Sequence, residues 1–489
     1  MSSADREHAV IDAVPTGLFI NGRWRPASGE GTFDVEDPST GKVLCTVADG
    51  TPEDGMAALD AAVAAQADWA AYPPRERGEI LRRAYQLMMQ RQEDLALLMT
   101  LEMGKSLAES RGEVAYAAEF FRWFAEEGVR IGGDFATAPA GSGRFMVMRQ
   151  PVGPSLLITP WNFPAAMGTR KIGPAVAAGC TMVMKPAKLT PLSMLALTDI
   201  LRECGLPDGV LNVVPTSRSG RLMEPLIRDG RARKLSFTGS TEVGRVLLEQ
   251  CAEHILRTSM ELGGNAPFLV FPDADLDAAV EGAMIAKMRN IGEACTAANR
   301  FYVHADLVDD FAQRLAERMA ALRIGRGTEE GVQVGPLIDA TQRDKVQHLV
   351  DDAVARGARA LIGGRPVDGS GYFYKPTVLV DVPEDAEMVQ TEIFGPVAPI
   401  YSFTEEDEAL AKANDTPYGL VSYAYTGDLQ RSLRVCERLE SGMVGLNQGM
   451  VSNPAAPFGG IKHSGLGREG GTVGIEEFLE IKYIAVATP

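Results

Sequence analysis

The chain has 489 residues, 45% of them hydrophobic and 23% charged, which suits a globular protein of two or three domains. Its formal net charge of −17 argues against a basic groove for nucleic acid or a polybasic patch for a membrane surface, because phosphates would be repelled. Small-molecule chemistry is the expectation that remains.

The opening segment, Met1 to Pro15, carries Asp5, Arg6, Glu7, His8 and Asp12 and lacks the continuous apolar stretch of a secretory signal. A cytoplasmic location is expected. Between Met56 and Arg130, Ala, Leu, Glu and Arg recur with apolar residues at helical spacing, broken at Pro73-Pro74, which predicts a helical region. The uncharged stretch Pro151–Thr169 has the length of a membrane span, but Pro151, Pro154, Pro160, Pro164 and Asn162 make it a buried strand and loop.

From Ser155 the period changes. The apolar runs Leu156–Ile158, Thr181–Met184, Leu211–Val214 and Leu235–Phe237 alternate with helical stretches, which predicts parallel strands in a doubly wound α/β sheet with ligands at the strand C-termini. Lys185 and Gly239-Ser240 then stand where a dinucleotide would lie. Thr190-Pro191 reads as a helix start, and the helix from Ser240-Thr241 is expected to bury Val243, Val246, Leu247 and Cys251. A second α/β block begins at Ala266–Phe271, with helices expected over Leu307–Leu322 and Asp339–Ala355. Gly and Pro cluster as loops around 363–376 and 453–471. Gly143–Arg149 and Glu477–Ala487 alternate like strands and suggest association between subunits.

The six cysteines show no paired spacing, so reduced thiols are expected, and the five histidines form no helical pair, so no metal site is expected. Cys295, in Arg289-Asn-Ile-Gly-Glu-Ala-Cys-Thr296, follows a glycine that permits a tight turn and has small neighbours that leave sulfur approachable; a lone cysteine is otherwise a small buried hydrophobe. Glu261 stands between apolar residues at a strand end, where desolvation would raise its pKa toward general-base duty; its bland alternative is a salt-bridged structural glutamate. Asn162 lies in Thr159-Pro-Trp-Asn-Phe-Pro164, a loop stiff enough to fix an oxyanion donor, although a loop asparagine is often simple turn chemistry.

Taken together, Thr159–Pro164, Lys185-Pro-Ala187, Phe237-Thr-Gly-Ser240, Glu261-Leu-Gly-Gly264, Cys295, Glu392-Ile-Phe-Gly-Pro396 and Pro457-Phe-Gly-Gly460 resemble the aldehyde dehydrogenase superfamily in order and spacing. The dinucleotide fingerprint G-x-G-x-x-G is absent, as it is in that family. The resemblance implies a Rossmann-like cofactor domain (1–139 and 151–261), a second α/β catalytic domain (262–472) and small oligomerisation strands (140–150 and 473–489), in a homodimer or homotetramer. It implies that Cys295 attacks the aldehyde, that Asn162 and the Cys295 N–H hold the oxyanion, and that Glu261 activates the water that hydrolyses the thioester. It places Lys185 and Glu392 on the two riboses and Ser240 at the pyrophosphate. Thr159, Pro160, Trp161, Ala187, Gly239 and Phe394 complete the cofactor contacts.

Lys188 stands where many NAD-preferring relatives have a glutamate, which favours NADP over NAD through attraction to a 2′-phosphate. Within the superfamily, Thr169–Pro174, Lys287-Met-Arg-Asn290 and Gly449-Met-Val-Ser-Asn453 are most similar to succinate-semialdehyde dehydrogenases. There Arg170, Arg289 and Ser452 would anchor a substrate carboxylate, with Phe163 and Phe458 beside it. Glutarate semialdehyde or another short aldehyde acid is the alternative substrate, and a catalytically silent relative of the fold is the other reading. Ala297 replaces a second cysteine found in several relatives, and Glu293 replaces a glutamine and is expected to point away from the thiol.

Overall fold

The computed structural model describes residues 2–487; Met1, Thr488 and Pro489, which the expected domain limits take in, lie outside the described residues. The apolar runs after Ser155 form Ser155–Ile158, Met182–Lys185, Leu211–Val213, Lys234–Thr238 and Arg257–Glu261. In the first four every residue is buried, as expected of parallel strands covered on both faces. All five are parallel, and across the sheet they run 257–261, 234–238, 155–158, 182–185, 211–213. The order therefore reverses between Ser155–Ile158 and Lys234–Thr238, and the crevice at such a reversal is where doubly wound sheets bind ligands. Leu18–Ile20 and Arg23–Arg25 extend one edge, and Gly465–Leu466, from within the expected 453–471 loop, pairs antiparallel with Met260–Glu261 at the other.

Only Leu262–Asn265 separates Glu261 from Ala266–Val270, the first strand of a second sheet. That sheet has seven strands in the order 359–362, 377–380, 397–403, 298–304, 266–270, 421–425, 443–446, parallel except for the first. The helices Val308–Ala320 and Ala340–Ala355 lie within two residues of their expected limits. The N-terminal helical region consists of Pro52–Ala71, Pro74–Gln90, Gln92–Met103 and Leu107–Glu127, and Pro73-Pro74 divides the first two.

Two helix expectations are corrected. Thr190 does not cap the helix Leu192–Glu203: its hydroxyl donates to Trp161 O at 3.1 Å, and the buried Glu102 carboxylate accepts the Leu192 and Ser193 N–H groups at 2.7 and 2.8 Å. A carboxylate 90 residues upstream satisfies those donors better than a local hydroxyl. The helix Thr241–Ala252 buries Thr241, Gly244, Leu247 and Cys251, whereas Val243 and Val246 are 49% and 52% exposed. The apolar stripe is wider than the contact with the sheet, and its outer part faces a cleft.

A third, antiparallel sheet joins Asp134–Thr137, Arg144–Pro151 and Leu479–Val486. The closing strand pairs along its whole length with Arg144–Pro151 of the same chain, and its other edge is open among the described residues. Phe135, Ile481 and Tyr483 project from this sheet largely exposed. Among the described residues no helix is long and apolar enough to cross a membrane.

Candidate active site

Strand ends at the reversal deliver four segments to one crevice: Thr159–Phe163 after Ile158, Lys185, Gly239-Ser240 after Thr238, and Glu261. The second sheet contributes Cys295, just ahead of Ala298–His304. Cys295, Glu261, Asn162, Glu392 and Phe394 line one cavity of about 210 Å³. A second cavity of about 430 Å³ shares Pro160, Trp161, Thr238, Gly239 and Ser240 with it and continues to Lys185, Ala187 and Lys188. The result is one continuous channel with the thiol near one end and Lys188 toward the other.

The loop that leads into Cys295 is tighter than the sequence suggested. Asn290, Ile291 and Gly292 all have positive φ, at 54°, 61° and 77°, a left-handed run that costs most at β-branched Ile291. Its surroundings hold it. Glu109 accepts the Asn290 N–H at 2.5 Å, and the Asn290 amide donates to the carbonyls of Asn162 and Glu293 at 3.0 and 2.9 Å. Gly292 is required here, because a Cβ would lie 2.3 Å from Gly395 O. Burial pushes the Cys295 thiol up to about 12; Arg170 and Arg289 oppose the shift, and Glu392 and Glu261 add to it.

Asn162 is 4% exposed, and its amide donates one hydrogen bond, to Glu293 O at 3.0 Å, which leaves a second N–H to give. Its backbone carbonyl accepts from Lys105 at 2.8 Å, and Lys105 is itself paired with Glu113 at 2.5 Å, both side chains fully buried. Glu113 also takes the Ala165 and Ala166 N–H groups at 2.9 and 3.1 Å. The amide is thus fixed by a buried ion pair that no local spacing announces.

Glu261 is 3% exposed and neither carboxyl oxygen has a hydrogen-bond partner among the described residues. Burial holds its pKa well above the usual carboxylate range, the charge of Glu469 adds to this, and Arg170, Lys171 and Arg468 work against it. The carboxyl is free of structural ties, unlike the salt-bridged alternative. Glu293 does turn away: one oxygen accepts from Ile338 N at 3.1 Å, and burial raises its pKa well above the ordinary value.

The two arginines differ. Arg289 is half-buried, its guanidinium donating to Ser452 at 3.0 Å and standing over the rings of Phe163 at 4.9 Å and Tyr116 at 5.7 Å; no carboxylate pairs with it among the described residues. Arg170, fully buried, lies 2.7 Å from Glu469 and 3.9 Å over the Phe458 ring. Lys171 shares the same carboxylate at 2.6 Å, so the trio retains one net positive charge. Sequence reasoning found Arg170 and missed Glu469, which lies 298 residues beyond Lys171 with no periodic signal to betray it.

In the cofactor-side channel, Lys185 donates to Ser219 at 3.1 Å and is pushed down to about 8 by burial. The Thr159 N–H bonds Lys185 O at 3.3 Å, tying the two strand ends together. Ser240 caps the helix Thr241–Ala252 through the Val243 N–H at 3.4 Å. Glu392 accepts the Gly264 N–H at 3.0 Å and is pushed up to about 7 by burial, and Phe394, with φ of 57°, meets Trp161 edge-on at 5.4 Å. Lys188 is exposed at the channel rim with no acidic partner within ion-pair distance among the described residues.

Comparison with known proteins agrees with this geometry. The model of the aldehyde dehydrogenase family matches residues 24–484. A succinate-semialdehyde dehydrogenase of Paenarthrobacter nicotinovorans is 60% identical over 91% of this chain and 99% of its own length. A glutarate-semialdehyde dehydrogenase of Pseudomonas putida is 52% identical over 96% of this chain and 97% of its own. The crystal structure of an E. coli NADP dependent enzyme superposes with a TM-score of 0.96 at 51% identity, covering 98% of this chain and 99% of that one. The chain belongs to the aldehyde dehydrogenase family.

Proposed function

We propose that this enzyme oxidises succinic semialdehyde to succinate with NADP through a thioester on Cys295. The observation that carries the substrate assignment is Arg289: a half-buried guanidinium held by Ser452 and two aromatic rings, with no carboxylate within ion-pair distance among the described residues, whose charge reaches the Cys295 thiol. An apolar aldehyde would leave that charge unpaired in a partly desolvated place. Arg170 adds the net charge of its cluster, and Phe163 and Phe458 flank the two guanidinium groups.

The channel suits a dinucleotide phosphate. Val243 and Val246 offer an apolar wall, Ser240 stands at a helix N-terminus suited to a pyrophosphate, and unpartnered Lys188 offers its charge to a 2′-phosphate. Lys185 and Glu392 would take the ribose hydroxyls, with Thr159, Pro160, Trp161, Ala187, Gly239 and Phe394 packed around the group. Bound NADP would supply the acceptor for the aldehyde's hydride.

Cys295 gives up its proton to Glu261, the free carboxylate in the same cavity, and attacks the carbonyl carbon. The oxyanion of the resulting thiohemiacetal accepts the spare Asn162 N–H and the Cys295 backbone N–H. After oxidation to the thioester, Glu261, having released the thiol proton to solvent, takes a proton from water, the hydroxide adds to the acyl carbon, and the thiolate leaves as the acid forms. The raised pKa of Glu261 suits a group that must accept and release protons near neutrality.

Glutarate semialdehyde is the second reading, favoured by the 52% identity to the enzyme of that name. The test is kcat/KM for the four- and five-carbon semialdehydes with NADP and NAD in parallel. Preference for the five-carbon substrate selects the second reading, tenfold preference for NAD removes the Lys188 argument, and no aldehyde-dependent NADPH formation leaves a silent relative of the fold.

The same proposal divides the chain into a cofactor domain built on the first sheet, a catalytic domain (262–472) on the second, and a small β unit. Asp134–Thr137 pairs with the strand Arg144–Pro151, which supports starting that unit at Asp134, ahead of the expected residue 140. Its open edge and exposed Phe135, Ile481 and Tyr483 support a homodimer or homotetramer, in the cytoplasm.

A further inference from the structure

Lys287 is a buried cation that the chemistry above leaves unused. It occupies the last turn of the helix Leu276–Met288, is 0% exposed, and has no carboxylate within ion-pair distance among the described residues. Its ammonium donates instead to Asn299 Oδ1 at 2.9 Å and to Gly395 O at 3.2 Å. Both acceptors belong to segments of the active site. Asn299 lies four residues after Cys295 at the head of the strand Ala298–His304, and Gly395 lies in the Glu392–Pro396 loop.

Those segments meet backbone to backbone at this point. A Cβ on Gly292 would lie 2.3 Å from Gly395 O and 3.2 Å from Lys287 O. Phe394, one residue before the bridged carbonyl, has a left-handed φ of 57° that a non-glycine residue holds only when its surroundings impose it. Gln342 imposes part of it by donating to Phe394 O at 2.7 Å, and Lys287 grips the next carbonyl. Burial pushes Lys287 down to about 7, while the charge of Glu392 supports its protonated form; Lys287 in turn favours ionised Glu392, as does Lys345, against Glu242. A methionine or leucine would fill the same space without the cost of a buried charge, but it could not bridge two oxygen acceptors on separate segments.

We propose that Lys287 is a positioning residue: its ammonium clamps the Gly395 carbonyl to the Asn299 side chain and so sets Glu392 and Phe394 in register with Cys295. The proposal rests on the reading of Glu392 and Phe394 as cofactor contacts. Its consequence is that cofactor affinity depends on a side chain that touches neither cofactor nor substrate.

The experiment compares native enzyme with Lys287→Met, Asn299→Ala and Glu392→Gln. It measures the Kd of NADP by calorimetry, the Trp161 emission of the free protein as the difference from Trp161→Phe, and the melting temperature. Lys287→Met is expected to weaken NADP binding roughly tenfold or more and to shift Trp161 emission, since Phe394 lies against that indole; Asn299→Ala is expected to weaken binding about threefold. A folded Lys287→Met with Kd within about twofold of native and unchanged emission overturns the proposal, even if its melting temperature falls, because a merely structural lysine would do that alone. Should Lys287→Met fail to fold, native-like Kd and emission in Asn299→Ala overturn it instead. Glu392→Gln separates the two levels: if it weakens binding while Lys287→Met does not, only the clamp is wrong. If Glu392→Gln is also silent, the cofactor reading fails first.

Discussion

Arg289→Met tests the substrate assignment most directly. The side chain it replaces makes no ion pair among the described residues, and its anchors are one hydroxyl, at 3.0 Å, the Met450 sulfur, at 3.4 Å, and two aromatic faces that methionine can also pack against. The cost to folding is therefore small, and the cost to function is the lost contact with a substrate carboxylate. A hydrogen bond to a charged group contributes about 1.5–3 kcal/mol. At about 1.4 kcal/mol per factor of ten, kcat/KM for succinic semialdehyde should fall roughly 10- to 150-fold. Butanal, with the same number of carbons and no carboxylate, should be oxidised as well as before. NADPH absorbance under kcat/KM conditions reads both. Equal losses for the two aldehydes, or none for either, would refute the anchor. Arg170→Met makes an informative contrast: Arg170 opposes the raised pKa of Glu261 and pairs with Glu469, so its removal should slow both aldehydes.

Glu261→Gln should nearly abolish steady-state turnover and slow or shrink any burst of NADPH, because neither the thiol nor the hydrolytic water has its base; sustained turnover would show that another base serves. In the native enzyme, deacylation should rise as pH climbs through the raised pKa of Glu261, and an acid limb centred near the ordinary value of 4.5 would contradict its desolvation. Lys188→Glu should cut kcat/KM with NADP by roughly 10- to 100-fold and spare NAD, and an equal loss with both would place Lys188 away from the 2′-phosphate. Glu293 has a folded pKa above its ordinary 4.5, so the folded chain holds the extra proton and stability falls as pH rises from 4.5 through the raised value. Glu293→Gln keeps an acceptor for Ile338 N without that penalty. Its melting temperature should match native at pH 5 and exceed it by ~1–3 °C at pH 8.

Strands and helices were legible wherever burial enforced a period, as in Ser155–Ile158 or Ala340–Ala355. Thr190 misled because its neighbour Pro191 looked like a helix start, while the real cap is a carboxylate from another helix. Val243 and Val246 misled because a stripe of apolar residues reads the same whether it meets a core or a cleft. The residues of the proposed catalytic trio stand in family motifs, but the groups that hold them carry no such mark. Glu113 beneath Asn162, Glu109 on Asn290 and Glu469 between Arg170 and Lys171 are ordinary glutamates until folding brings them together. Arg289 and Arg170 are assigned the same role in the sequence, and the fold separates them by burial and by the Glu469 carboxylate that pairs with Arg170.

The four residues from Leu262 to Asn265 have a mechanical implication. A linker this short leaves little slack between the sheet that ends in Glu261 and the sheet that carries Cys295, and the returning chain fastens it further: the Ser464 carbonyl accepts the Leu262 N–H at 3.0 Å and the Ser464 hydroxyl donates to Gly263 O at 2.7 Å. The proposed base and the thiol are thus tethered across the crevice by a few covalent bonds, whereas Lys188 at the rim has no such tie, so any loosening between the sheets should reach the reacting groups last.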